Sequence, residues 1–148
     1  MNSFKKLTMK LINLIAVFIS CIGLVFADTK YQIVNKKNNL CLTYNYVSVQ
    51  NGRAIKFQEA DCIKSARQLW YIKGDKIVSA DNNKCLGYIN NNPSDKSLFD
   101  CNSTATVHFN INNDTICAYN TNKCMGSNGY FYKYDKNDKV FRWKFVKA

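Results

Sequence analysis

The feature that most constrains the fold of this chain is a threefold internal repeat. Three segments, NKKNNLCLTY, SADNNKCLGY and AYNTNKCMGS, each place an Asn-rich turn before a cysteine and an apolar residue. Each then leads to an aromatic anchor, Trp70, Phe109 or Trp143, in RQLWYI, TVHFNI and VFRWKF. The units span about residues 31–73, 74–112 and 113–148, and a period near 40 residues indicates a repeat architecture.

Between these anchors the sequence alternates in the manner of short strands separated by turns. No stretch after residue 28 sustains an apolar period of 3.6 residues, so the pattern predicts an all-β chain built of three units. The predicted strands are YQIV, AIKFQ, KIVSA, SLF, HFNI, GYFYKY and WKFV. The predicted core residues are Leu42, Ile55, Phe57, Trp70, Ile72, Leu86, Leu98, Phe109, Ile111, Trp143 and Phe145.

Residues 1–27 have the pattern of a secretory signal peptide. Three lysines precede an apolar run from Leu11 to Ala27, and the run ends on Val25-Phe26-Ala27 before Asp28. Val25 and Ala27 then occupy positions −3 and −1 of the cleavage site, where small residues favour cleavage. An uncleaved signal-anchor is the alternative, because the apolar run is long. We therefore expect a secreted domain of residues 28–148, which holds no second apolar stretch that could span a membrane.

The cysteine count agrees with export. Outside the leader there are six cysteines, an even number that predicts three disulfides among 15 formal pairings. No C-x-x-C occurs and the chain has one histidine, His108. The sequence therefore predicts neither a zinc site nor a cofactor.

The chain is basic, with a formal net charge of +11, and +8 remains for residues 28–148 because the leader holds three lysines and no acidic residue. Such a field favours anionic partners such as sulfated glycans or acidic cell surfaces. The lysines are scattered rather than clustered, which argues against nucleic-acid binding.

The repeat resembles the ricin-type (Q-x-W)3 β-trefoil lectin family over the whole of residues 28–148. Gln68-x-Trp70 provides one Q-x-W unit, and a cysteine precedes the anchor by eight residues in both the first and the second unit. The resemblance implies a β-trefoil whose three units share one core around a pseudo-threefold axis. It also implies the disulfides Cys41–Cys62 and Cys85–Cys101. The third unit departs from the family pattern, and Cys117–Cys124 is predicted there because the two cysteines can face one another in a hairpin.

In sugar-binding members of the family, each unit can hold one shallow pocket. An Asp two residues after the first cysteine accepts hydrogen bonds from sugar hydroxyls, and an aromatic side chain stacks on the ring. Here the Asp position is Thr43, Gly87 or Gly126, so no unit keeps the carboxylate. The candidate carbohydrate-binding residues carried over from the resemblance are Thr43, Lys56, Gln58, Arg67 and Gln68 in the first unit and Phe99 in the second.

Two of these assignments have an alternative. Gln68 can instead hydrogen-bond to backbone within the fold, and Phe99 can be a packed surface aromatic. In the third unit Tyr130, Tyr132 and Tyr134 alternate and share one face, for which strand alternation favours the core over a pocket.

The expected function is a secreted, non-catalytic carbohydrate-binding protein that takes glycans or glycoproteins as partners. Lys56 and Arg67 favour an acidic or sulfated sugar. The alternative is a trefoil with decayed sugar sites that binds protein partners as a component of a coat, wall or adhesion surface. An enzyme is not expected, because His108 has no adjacent nucleophile or carboxylate pair. Asn102 and Asn113 begin N-glycosylation sequons.

Overall fold

The computed structural model of the protein describes residues 28–89, 92, 96–103, 105, 107–112 and 114–148. The predicted leader and the sequon residue Asn113 lie outside the described residues. Within them, three 3₁₀ turns occur at Ala66–Gln68, Ser127–Gly129 and Lys139–Phe141. The described strands are β1 (Lys30–Asn35), β2 (Cys41–Val49), β3 (Gly52–Ala60), β4 (Trp70–Lys73), β5 (Lys76–Ser79), β6 (Cys85–Tyr88), β7 (Lys96–Phe99), β8 (Phe109–Asn112), β9 (Thr115–Ala118), β10 (Lys123–Met125), β11 (Phe131–Lys133) and β12 (Trp143–Lys147).

Six of these strands close into a barrel. β1 pairs with both β4 and β12, β4 pairs with β5, and β8 pairs with β9, all antiparallel. Two backbone hydrogen bonds complete the ring: Phe109 N donates to Asp75 O over 2.9 Å, and Trp143 N donates to Asp114 O over 2.7 Å. The other strands form the hairpins β2–β3, β6–β7 and β10–β11. This barrel with three hairpins is a β-trefoil, which confirms the predicted fold.

The Asn-rich turns owe their conformation to left-handed backbone. Asn39, Asn83 and Asn120 have φ angles of 60°, 58° and 55°. Asparagine enters this region at lower cost than most residues with a side chain. In the first two units the turn closes in the same way, because Asn39 N donates to Asn35 O and Asn83 N donates to Ser79 O, each over 2.9 Å. The repeated asparagines therefore set the same entry into β2 and β6.

The aromatic anchors lie in one shared core, as predicted. Trp70 and Trp143 are fully buried, and their indole N–H groups donate to Leu42 O over 3.3 Å and to Met125 O over 2.8 Å. Phe109 is also buried in the same core. Of the other predicted core residues, Leu42, Phe57, Leu86 and Leu98 are buried, and Ile55, Ile72, Ile111 and Phe145 pack against the core while partly exposed. The core also contains residues that the sequence analysis did not name: Ile33, Tyr44, Ile77, Tyr88, Ile116, Ala118, Met125 and Phe131.

The three disulfides pair as predicted: Cys41–Cys62, Cys85–Cys101 and Cys117–Cys124. Cys117 and Cys124 are directly opposed between β9 and β10, with their Cα atoms 3.9 Å apart. The third unit therefore keeps a covalent link in a different place from the first two units.

The predicted placement of the tyrosine stripe in the core is wrong. Tyr130 and Tyr132 are 38% and 52% exposed, Tyr134 is half-buried, and the buried residue of this stretch is Phe131 at 4%. Phe131 stacks on Phe109 with ring centroids 5.8 Å apart. Alternation along the strand correctly places the tyrosines on one face, but the intervening phenylalanine fills the core.

Candidate functional site

The first candidate surface lies on one face of the long hairpin β2–β3. Thr43 is directly opposite Gln58 and Asn45 is directly opposite Lys56, so these four side chains share a face. Thr43 is buried and its Oγ1 donates to the carbonyl of Arg67 over 3.3 Å. Gln58 is half-buried and Lys56 is exposed. Four of the predicted site residues, Thr43, Lys56, Gln58 and Arg67, thus belong to one region of the surface.

Arg67 lies against β2, next to this face. Its Nη1 donates to Asn45 Oδ1 over 3.4 Å, and its guanidinium carbon lies 5.1 Å from the centre of the Tyr46 ring. Asn45 and Tyr46 are adjacent in β2 and point to opposite faces, so Arg67 contacts both sides of the strand. The Arg67 side chain and Tyr46 are both 43% exposed. A half-exposed cation beside a half-exposed aromatic ring is therefore available to a ligand.

A carboxylate from the second unit completes this surface. Asp81 Oδ2 lies 4.0 Å from Arg67 Nε, and it accepts a hydrogen bond of 2.8 Å from the Tyr44 hydroxyl. That hydroxyl also lies 3.1 Å from Ser79 Oγ. Burial is the main cause that raises the pKa of Tyr44 to about 12, with a further contribution from Asp81. Tyr44 therefore stays protonated at neutral pH and remains a donor to Asp81. We call Asn45, Tyr46, Arg67 and Asp81 the Arg67 cluster.

Asn45, Tyr46 and Asp81 were missed by the sequence analysis. A signal for Asp81 was present, since the equivalent turn positions in the other two units are Lys37 and Asn120. A carboxylate that occurs in only one copy of a repeat is not required by the shared scaffold. No comparable signal identifies Tyr46, because its exposure depends on how far the hairpin extends beyond the core.

Gln68 has a structural role in the loop around Cys62. It is 2% exposed, its Nε2 donates to Asp61 O over 2.6 Å, and its Oε1 accepts from Ile63 N over 2.9 Å. The amide therefore holds the loop around Cys62 and has no polar atom facing solvent. Of the two roles considered for Gln68, the structural one describes its contacts.

In the second unit the aromatic candidate is packed rather than open. Phe99 is half-buried and joins a small apolar cluster with Val78, Val107 and both cysteines of the Cys85–Cys101 bridge. Gly87, at the position where the family carries Asp, is paired with Ser97. The described part of this unit thus offers neither the carboxylate nor a free aromatic face at these positions.

In the third unit the corresponding space is filled by a tyrosine. A Cβ atom at Gly126 would lie 3.1 Å from Tyr132 Cδ2 and 3.5 Å from Phe141 Cε1. Gly126 N also donates to Tyr130 O over 2.8 Å. The Tyr132 ring therefore covers the position from which the family carboxylate would project.

The remaining titratable groups of the described residues include an exposed pair, His108 and Asp75. His108 is exposed and its Nδ1 lies 2.7 Å from Asp75 Oδ2. Among the described residues, no three His, Cys, Asp or Glu side chains come together in a way that could hold a metal ion. The same residues include no helix long and apolar enough to cross a membrane. Asn102 is exposed.

Sequence comparison assigns the family. The profile of the ricin-type beta-trefoil lectin domain matches residues 28–144. The chain belongs to the ricin-type β-trefoil lectin family. No curated protein matches this chain in a comparison of sequences.

Solved structures agree with the family assignment at the level of the fold. The β-trefoil lectin of the Vibrio vulnificus hemolysin/cytolysin, solved with N-acetyl-D-lactosamine bound, superposes with a TM-score of 0.61 at 16% identity, over 82% of this chain and 96% of that one. A mutant of the earthworm lectin C-terminal domain in complex with 6'-sialyllactose gives 0.61 at 15% identity, over 81% and 99%. ThreeFoil, a designed 3-fold symmetric protein, gives 0.59 at 15% identity, over 80% and 99%.

Proposed function

We propose that this ricin-type trefoil is a secreted, non-catalytic carbohydrate-binding protein whose first unit binds an acidic or sulfated glycan. The observation that carries the proposal is the Arg67 cluster, in which a half-exposed guanidinium lies beside the half-exposed ring of Tyr46. A guanidinium presents N–H donors in the fork geometry that matches a carboxylate or sulfate group. An aromatic ring provides an apolar platform for the C–H face of a pyranose.

The other members of the site have complementary roles. Asp81 accepts hydrogen bonds from sugar hydroxyls in place of the carboxylate that the family carries at position 43. Lys56 and Gln58 extend the polar surface on the hairpin face next to Arg67. Thr43 holds the backbone of Arg67, and Gln68 holds the loop that precedes it. Binding by Phe99 stays a prediction, because only part of its ring is exposed.

Two features support a secreted location, and a third bears on the partners. The three disulfides need an oxidising compartment to form and persist. The first 27 residues have the order of charges, apolar run and small residues of a signal peptide. The net charge of +8 that remains for residues 28–148 favours acidic cell surfaces and glycans as partners. Glycans and glycoproteins are therefore the proposed partners.

A glycan array tests this proposal, with the protein produced so that its three disulfides have formed. The array is probed at physiological and at high salt, because screening removes attraction between exposed charges and spares most specific hydrogen bonding. We expect salt-resistant binding to one family of acidic glycans. Binding only to heparin-like polyanions that is lost in high salt would contradict a specific site.

The variant Arg67→Gln tests the position of the site. It removes the guanidinium, and we expect binding to the selected glycan to fall by roughly tenfold or more, as for a lost charged hydrogen bond. Arg53→Gln is the matched control, because Arg53 is an exposed arginine near the tip of the same hairpin. Equal effects of the two variants would mean that charge alone, and not the Arg67 cluster, holds the glycan.

A second candidate function is a trefoil that binds proteins, with decayed sugar sites, as part of a coat, wall or adhesion surface. Tyr132 covers Gly126 in the third unit and Phe99 is packed in the second, and both contacts support decay of the family pockets in the described parts of these units. Ile63 is 73% exposed on the loop held by Gln68, where a protein partner would bury it. Absence of binding to every glycan on the array would favour this function over the first.

A further inference from the structure

The side chain of Lys96 connects all three units of the trefoil. Lys96 begins β7 in the second unit, where it is paired with Tyr88 of β6. Its Nζ lies 3.9 Å from the centre of the Tyr130 ring in the third unit and 5.8 Å from that of Phe57 in the first. A Cβ at Gly129 would lie 3.9 Å from Lys96 Cε and 2.9 Å from Leu42 Cδ1. Lys96 therefore stands where the three units meet.

The positive charge of Lys96 has only aromatic partners in the described structure. The described ion pairs involve other cations, and the neighbouring Asp95 lies outside the described residues. Burial lowers the pKa of Lys96 to about 8, because removal from water disfavours the charged form. The titratable groups that face it are the phenols of Tyr88 and Tyr130. Aromatic faces recover part of the cost of burying a cation, and a bound anion would recover more.

An exposed aromatic surface adjoins this charge. Tyr130 and Tyr132 are 38% and 52% exposed, and their ring centroids are 6.4 Å apart. The Tyr132 ring packs on Gly126, where a Cβ atom would lie 3.1 Å from Tyr132 Cδ2. Lys96 already covers one face of Tyr130, so the open platform is Tyr132, the neighbour of the ring that the ammonium contacts.

We propose that Lys96, Tyr130 and Tyr132 form a second binding site, which takes the carboxylate or sulfate group of an acidic glycan on the Lys96 ammonium and the sugar ring on Tyr132. The inference rests on the proposed carbohydrate-binding function but not on the Arg67 cluster. The site differs from the family pockets, each of which is drawn from one unit. Here the cation comes from the second unit and the platform from the third. Two sites on one small domain would raise the avidity for surfaces that carry many acidic glycans.

Calorimetric titration of the protein with 6'-sialyllactose and with neutral lactose tests this site. Lys96→Met keeps the apolar stem and removes the charge, and Lys96→Arg keeps a charge. Lys37→Met is the matched control, because Lys37 is an exposed lysine in the turn before β2. In the Arg67→Gln background, which removes the first site, we expect Lys96→Met to weaken binding of sialyllactose by roughly tenfold, with Lys96→Arg retaining part of the affinity and Lys37→Met unchanged. Affinity for lactose should not change in any of them.

Two further measurements separate a binding role from a structural one. Tyr132→Ala should weaken both sugars, since it removes the platform and leaves the ammonium. With Arg67→Gln present, the preference for sialyllactose over lactose should fall as pH rises through about 8, because Lys96 then loses its proton. Exposed lysines, with pKa values of about 10.4, would keep the preference in this range.

The outcomes distinguish this inference from the proposed function. Wild-type binding of sialyllactose that Arg67→Gln removes and Lys96→Met leaves unchanged would overturn the second site and keep the lectin function. Inorganic sulfate that binds as tightly as sialyllactose would overturn the glycan as ligand. Failure of the wild-type protein to bind any glycan on the array would overturn the proposed function itself. Unfolding in urea is followed for every variant. If Lys96→Met is unstable, the site is tested by the sialyllactose affinity of Lys96→Arg, which retains the charge.

Discussion

The first and third units share a scaffold and differ at the surface. In both, a buried tryptophan donates its indole N–H to a backbone carbonyl in the first strand of the hairpin. The acceptor is Leu42, which follows Cys41, in the first unit and Met125, which follows Cys124, in the third. Outside the core, the first unit presents the half-exposed Arg67, whereas the third covers Gly126 with Tyr132. The comparison teaches that the shared core fixes the equivalent inner positions. The solvent-facing positions carry no such constraint, and the units can diverge there.

The largest expected effect tests the equivalence of the two tryptophans. Trp70→Ala and Trp143→Ala should each lower the free energy of unfolding by about 3–5 kcal/mol, because each leaves a large cavity in the core. Urea denaturation of the oxidised protein measures both. Tyr119→Ala is the control, since Tyr119 is 50% exposed and its loss should cost within about 0.5 kcal/mol. A large loss for one tryptophan and a small loss for the other would break the equivalence of the units.

The disulfides provide the next test, because they are placed differently in the two units. Cys41–Cys62 closes a sequence separation of 21 residues and Cys117–Cys124 one of 7. Replacing the first pair by alanine should cost roughly 3 kcal/mol, and replacing the second about 1 kcal/mol less, since the shorter loop restricts the unfolded chain less. Denaturant midpoints of the two double variants give the comparison. Greater destabilisation by loss of the 7-residue bridge would show that its role is not mainly to restrict the unfolded chain.

The smallest expected effect sharpens the difference at the surface of the third unit. Gly126→Ala should destabilise the protein by roughly 1 kcal/mol, because the new methyl group would crowd the Tyr132 ring 3.1 Å away. With Tyr132→Ala present, the same substitution should stabilise by about 0.5 kcal/mol, since Gly126 has a φ of −100° that alanine also adopts. A double-mutant cycle of unfolding free energies measures this coupling. Additive effects would mean that Tyr132 does not fill the former pocket position.

Much of the fold could be predicted because its signals are local and repeated. The asparagines before each cysteine predicted turns, and three of them take left-handed backbone there. The facing of Cys117 and Cys124 followed from their spacing across one turn. The tyrosine stripe was placed on the wrong side, since a period of two shows which residues share a face but not which face is buried. Phenylalanine and tyrosine side chains are both apolar enough to lie in the core or at the surface, so composition did not distinguish the two faces.

The candidate site was predicted only in part, for a related reason. Thr43, Lys56, Gln58 and Arg67 lie together because the pairing of β2 with β3 and the position before Trp70 are properties of one unit. Asp81 belongs to the next unit, and its contact with Arg67 depends on how the two units pack. Gln68 could be assigned to the fold only once both partners of its amide were visible.

By itself, the sequence determined that this chain is all-β and built of three units, where its turns fall, and which residues of each unit are anchors, and the family resemblance implied the β-trefoil. These features repeat, and each depends on contacts within a single unit. Tertiary structure alone decided that Asp81 faces Arg67 and that Lys96 lies over Tyr130 and Phe57. Such contacts join residues from different units, and they are set only when the barrel closes and brings the three hairpins together around one axis.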